Sequence, residues 1–143
     1  MIAAMSAPLE SLRAVPLFAN LEDRDLEQLS KQMHERRFAE GTEVTTEGST
    51  GAGFFVIADG NANVSVGGEH RATLGPGDHF GEIALIDDGI RSASIIAATD
   101  LLCYGLTPWE FRPFVEEHPQ VAWAFMQVLA RRYRESQAHE HDH

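Results

Sequence analysis

Between Gly41 and Leu106 the sequence breaks into short β-type runs separated by glycine-bearing turns, and no other feature narrows the fold as much. The runs are Thr42–Glu47, Gly53–Ala58, Asn63–Gly67, Arg71–Leu74, Ser92–Ala98 and Leu101–Leu106. Strands this short, at this spacing, predict an all-β sandwich or barrel with tight turns. On both sides the periodicity is helical. Leu9, Leu12, Val15, Leu17 and Phe18 form a first short piece, and Leu21, Leu26, Leu29 and Met33 then recur at helical intervals, with Asn20 as the expected helix start. Thr107-Pro108-Trp109-Glu110 reads as a capping box with proline at the first helical position, and His118-Pro119 closes that helix and opens another. The expectation is one domain over residues 1–137: helical from 8 to 38, β barrel from 41 to 106, C-terminal helices from 107 to 137. A polar, His-rich tail occupies 138–143.

The last helix carries more apolar surface than one contact requires. At 100° per residue, Val121, Ala122, Trp123, Phe125, Met126, Val128, Leu129, Ala130 and Tyr133 span an arc of roughly 220°, interrupted by Arg132, whereas a helix lying on one surface needs only ~100°. It is expected to face two things: the β core, and either a ligand or another chain. The alternative is that Trp123 and Tyr133 simply cover barrel surface.

Composition removes several functions. The chain has 143 residues and a formal charge of −11. That balance repels phosphate backbones and anionic lipid at long range, and no basic cluster denser than Arg131, Arg132 and Arg134 offsets it. No segment approaches the ~18 apolar residues of a membrane span, and the first 16 residues lack the charge and apolar pattern of a signal peptide. A cytoplasmic location is expected. Cys103, the single cysteine, lies in an apolar run and reads as a buried, inert thiol. His139, His141 and His143 alternate in the tail without a closing ligand, which reads as a solvated end and not as a metal site.

Charge distribution is more telling than its sum. Between Gly41 and Tyr104 the only cations are Arg71 and Arg91. Arg91 falls in the stretch LGPGDHFGEIALIDDGIRSAS, Leu74 to Ser94, where Gly75, Gly77 and Gly81 let the backbone turn and approach a ligand. Phe80 to Leu85 reads as a strand end entering one helical turn, whose free N–H groups and dipole would favour an anion. A guanidinium suits two phosphate oxygens at once, and the Ser92 hydroxyl and Ala93 N–H could complete the shell. Glu82 would repel a phosphate, so its use is to accept from a neighbouring hydroxyl such as a ribose. Phosphate and sugar hydroxyl in one small pocket imply a nucleotide.

The segment FGEIALIDDGIRSAS resembles the phosphate-binding cassette of the cyclic nucleotide-binding domain family. LRAVPLFANL is similar to the family's N-terminal helical motif, EGSTGAGFFVIADG to its strand-turn-strand, and LGPGDHFGE to its approach to the cassette. FRPFVEEHPQVAWAFMQVLARRYRES resembles the barrel-to-long-helix region of the catabolite activator subgroup. The resemblance implies a jelly-roll-like double-stranded β-helix barrel with a C-terminal helical lid. It implies that Glu82 holds the ribose 2′-hydroxyl, Arg91 the cyclic phosphate, and that Gly81, Ile83, Ala84 and Ala93 line the phosphate with backbone. Ser92 stands where the catabolite activators have a phosphate-contacting serine, cAMP-selective kinase subunits an alanine and cGMP-dependent kinases a threonine. This favours cAMP and permits some cGMP. Trp123, Tyr133 and Ser136 are candidates to cover the base, Ser136 aligning with a threonine that reads the adenine amine.

Ile90 replaces the usual proline before the cassette arginine, and Ser49 and Thr50 follow Gly48 where an aspartate is common. The chain reaches His143 without a DNA-reading helix, so a sensor acting through an unidentified effector protein is expected, with a homodimer through the last helix as one assembly. No catalytic constellation and no cofactor is implied. The alternatives are a degenerate barrel serving as an interaction module and a cupin-like metal enzyme using His79, Glu82 and His70, whose ligand set is short.

Overall fold

The computed structural model describes residues 8–48, 53–87 and 91–140. Ser49, Thr50, Ile90, His141 and His143, singled out above, lie outside them. Eight antiparallel strands form two four-stranded sheets: β1 (His34–Phe38), β8 (Leu101–Leu106), β3 (Phe54–Asp59) and β6 (His79–Phe80) in that order, and β2 (Glu43–Thr45), β7 (Ser94–Ala97), β4 (Ala62–Val66) and β5 (Glu69–Leu74) in the other. The expected barrel is present. Helices α1 (Leu9–Arg13) and α2 (Asp23–Gln32) precede it, and α3 (Pro108–Glu117) and α4 (Pro119–Glu140) follow it.

The unbroken run Phe54-Phe55-Val56-Ile57 is explained by burial on both faces of β3. Phe55 and Ile57 point between the sheets, where they meet Phe80, Ile95, Leu101 and Cys103. Phe54 and Val56 point the other way, into a second core with Phe18, Leu29, Phe111 and Phe125 from the helical layer. β8 divides likewise, with Cys103 facing the barrel and Tyr104 and Leu106 the helices. The helices are therefore built onto one sheet of the barrel. Cys103 is fully buried, and burial pushes its thiol up to about 12, so it carries no thiolate chemistry at neutral pH.

Two boundaries depart from expectation. The helical segment ends at Gln32, and His34–Phe38 is a strand paired with β8 from His34↔Gly105 to Phe38↔Leu101. His34-Glu35-Arg36-Arg37 has no apolar alternation because β1 is an edge strand whose side chains are largely exposed; charge on an edge also guards against pairing with other chains. Asn20 does not cap α2, which begins at Asp23 with Glu22 in the cap position. Its side-chain amide instead donates to Gln127 Oε1 at 3.3 Å.

The C-terminal expectations hold more closely. Thr107 Oγ1 accepts from the Glu110 N–H, and Glu110 Oε1 accepts from the Thr107 N–H at 3.0 Å, completing the capping box. His118 ends α3, and α4 continues to Glu140, into the segment expected to be a tail. Gln120 donates to the buried Asp25 at 2.9 Å, so α4 is tied to α2 near its first turn. Val121, Ala124, Phe125 and Val128 are buried. Trp123 (62% exposed), Met126 (52%) and Tyr133 (66%) are not, so Trp123 and Tyr133 do not cover the barrel.

Candidate ligand-binding site

Gly81 is the pivot of the site. It follows β6, which is held on β3 through Phe55↔Phe80 and Val56↔His79, and its φ of 87° is in the region that favours glycine. A Cβ there would run into the Gly53 carbonyl and the Arg91 guanidinium. The chain then makes a short 3₁₀ turn, Ile83–Leu85, with the Ala84 N–H donated to Gly81 O at 3.1 Å. The turn has three residues, so the dipole expected of a helical opening contributes little. Attraction for an anion rests on Arg91.

Arg91 is 9% exposed, the one buried cation among the described residues. Its Nη2 donates to Gly53 O, and its Nε has no hydrogen-bond partner. Burial alone pushes the guanidinium below its ordinary value, yet it stays protonated at any physiological pH. Such a charge is costly to keep buried unless an anion meets it. The other expected cation, Arg71, is exposed on β5 beside Glu69 at 3.9 Å.

Glu82 lies on the same cavity as Arg91. His79 Nε2 is 3.7 Å from Glu82 Oε2, and both side chains are largely enclosed, 23% and 18% exposed. The His79 imidazole beside it outweighs burial and holds the Glu82 carboxyl below the usual glutamate range, with the Glu82 N–H and the charge of Arg132 acting in the same direction. The site therefore presents a buried cation and an ionised carboxylate together.

All seven residues expected to bind ligand, Gly81, Glu82, Ile83, Ala84, Arg91, Ser92 and Ala93, line one cavity of about 420 Å³. Thr45, Val64, Leu74, His79, Phe80, Asp87 and Ile95 complete its walls. A few polar groups on a largely apolar wall is the usual make-up of a small-molecule site. Reading the sequence missed these apolar walls, which come from different strands, and it missed Thr45, whose hydroxyl donates to Ala93 O at 3.4 Å. It also missed Arg132, although a charge interrupting an apolar helical arc was a signal. The structure does not bring Trp123, Tyr133 or Ser136 to this cavity; all three are exposed. His70 pairs with Thr73 Oγ1 at 3.1 Å and does not line the cavity with His79. Among the described residues no group of three or more His, Cys, Asp or Glu side chains converges as a metal site, and no helix is long and apolar enough to cross a membrane.

The structure is a two-sheet antiparallel barrel with an arginine and a glutamate on one cavity beside a glycine-pivoted turn. The profile of the cyclic nucleotide-binding domain matches residues 35–118, more than half the chain, and the chain belongs to that family. It is 31% identical over 130 residues to the cyclic AMP receptor protein of Thermus thermophilus, covering 87% of this chain and 60% of the relative. It is 37% identical over 92 residues to the cAMP-dependent protein kinase regulatory subunit of Yarrowia lipolytica, covering 63% of this chain and 24% of that one. The crystal structure of the N-terminal domain of a transcriptional regulator from Streptomyces coelicolor superposes with a TM-score of 0.82 at 30% identity, covering 91% of this chain and 94% of that one. The chain thus spans three fifths or less of these two relatives' length.

Proposed function

We propose that the chain is a regulatory receptor for a 3′,5′-cyclic nucleotide, with cAMP preferred over cGMP. The observation that carries this reading is the buried Arg91, with an unpaired Nε, on the same cavity as the ionised Glu82. Arg91 takes the cyclic phosphate, with the Ser92 hydroxyl and the backbone of Gly81, Ile83, Ala84 and Ala93 around it. Glu82 accepts from the ribose 2′-hydroxyl. Preference for cAMP is supported by Ser92 and by the cAMP in the names of both relatives.

The output runs through the C-terminal helices to a partner protein. Leu85, in the turn after Glu82, is buried in the same core as Phe111 of α3 and Phe125 of α4. A cavity of about 430 Å³ between this turn and the two helices leaves room for them to change position. Closing the turn on a phosphate displaces Leu85, and the ligand biases the helices by its difference in affinity for the two arrangements. One partner of α4 is a second copy of the chain, supported by the exposed stripe Trp123, Met126, Ala130 and Tyr133, whose three-four-three spacing is that of a coiled-coil seam.

Calorimetric titration tests the reading. The parent binds cAMP more tightly than cGMP, and Arg91→Ala weakens cAMP binding by about 2–5 kcal/mol, as loss of a buried charge-assisted contact does. Arg91→Ala binding as tightly as the parent overturns the assignment.

A further inference from the structure

His79 is the one imidazole among the residues that line the ligand cavity, and neither the phosphate contact nor the sugar contact uses it. It ends the loop into β6, where pairing with Val56 fixes its backbone and the Phe54 ring lies 6.2 Å from its own. Its Nε2 faces Glu82 Oε2 at 3.7 Å. Glu82 follows a positive-φ glycine, and its carboxylate is met by its own backbone N–H and, from outside the turn, by His79.

We infer that His79 is a positioning residue: it holds one oxygen of Glu82 so that the other meets the ligand hydroxyl, and its protonation tightens binding of the anionic ligand. The inference rests on the cyclic nucleotide reading given above. Few charged groups share the cavity with this imidazole. From the cassette come Glu82, Asp87 and Arg91, and from α4 the charge of Arg132 acts on Glu82. β3 offers only the apolar Phe54 and Val56. The neighbouring Asp78 turns its carboxylate to the Gly75 N–H at 2.8 Å. With His79 neutral, Glu82 and Asp87 outnumber Arg91 on the cavity wall. Protonation adds a positive charge on that wall, and an incoming phosphate anion gains from it. Histidine is the side chain that ordinarily changes charge between pH 5 and 8.

The sign follows from linkage. An anion that binds better to the protonated site takes up a proton as it binds, so affinity rises as pH falls through the imidazole titration. The gain is lost at lower pH, once Glu82 itself is protonated.

Calorimetry with cAMP between pH 6 and 8, on the parent, His79→Phe and His79→Gln, provides the test. The parent binds about three- to tenfold more tightly at pH 6 than at pH 8, the most a shift of up to one pKa unit allows. His79→Phe binds with one weaker affinity throughout. His79→Gln, which keeps a donor without a titrating charge, is flat in pH but tighter than His79→Phe. A parent whose cAMP affinity is constant over this range, or a His79→Phe variant that keeps the parent's pH slope, overturns the inference and leaves the receptor reading intact. A parent that binds no cyclic nucleotide at any pH overturns both.

Discussion

Gly81 and Arg91 show how one residue can serve both fold and site. At Gly81 the backbone adopts a conformation that a side chain disfavours, and the space a Cβ would need is filled by Gly53 O and by Arg91 Nη1 at 2.6 Å. Gly81→Ala should destabilise the protein by about 1–3 kcal/mol, the usual cost of forcing a side chain into a sparsely populated backbone region. Urea unfolding measures that loss, and a cAMP titration of the still-folded fraction should find binding impaired because the displaced group is Arg91 itself. Unchanged stability and unchanged binding together would show that this turn is not held as described. Arg91 was legible in advance because cations are so scarce in the barrel. His79 was set beside Glu82 in the sequence only as a candidate metal ligand, because its contact with that carboxylate depends on how β6 enters the turn.

Among the elements, α3 shows a local signal carried intact into structure. The Thr107–Glu110 box satisfies the first turn, and Glu110 Oε2 reaches His34 Nε2 on β1 at 2.8 Å, so the same carboxylate ties the start of the C-terminal helices to the edge of the barrel. Burial raises the Glu110 carboxyl, but hydrogen bonds from the Thr107 N–H and hydroxyl and from His34 outweigh it, and the net direction is down from 4.5. A carboxyl lowered on folding contributes stability above its unfolded value, and the contribution is lost as pH falls through the folded value. Glu110→Ala should therefore cost about 1 kcal/mol at pH 7, as loss of a helix cap does. In paired denaturant titrations the gap to the parent should narrow as pH falls below 4.5; a gap of equal size at acid pH would mean the carboxylate is not the source. β1 is the contrary case. His34–Phe38 has no strand periodicity, and it is a strand because β8 offers it an edge.

For the whole molecule, the separation of two cores by one sheet fixes how the site can communicate. Leu85 belongs to the helical core, while the walls of the ligand cavity include Phe80 and Ile95 of the barrel core. On the proposed reading, a change at the cassette would reach the helices through Leu85 without passing through the barrel. The exposed apolar stripe on α4 is where the proposed dimer would form. Sedimentation should find a dimer, and Trp123→Glu combined with Met126→Glu should shift it toward monomer, because a charge in a coiled-coil seam must be buried unpaired. A double variant that sediments as the parent does would remove α4 as the interface.

Local sequence determined what depends on near neighbours along the chain. The β runs with their glycine turns, the capping box, the break at His118-Pro119 and the cassette from Gly81 to Ala93 all express preferences of a few consecutive residues, and all were readable. Tertiary structure decided what depends on contacts between distant segments. It made His34–Phe38 a strand, sent Trp123 and Tyr133 to solvent while burying Val121 and Phe125, and brought Thr45, Val64 and Leu74 to one cavity with Arg91. It also reduced the helical opening expected beside Arg91 to a three-residue turn and enclosed the guanidinium. Burial and pairing are properties of packed surfaces, and a periodic pattern states which residues could be buried without stating against what.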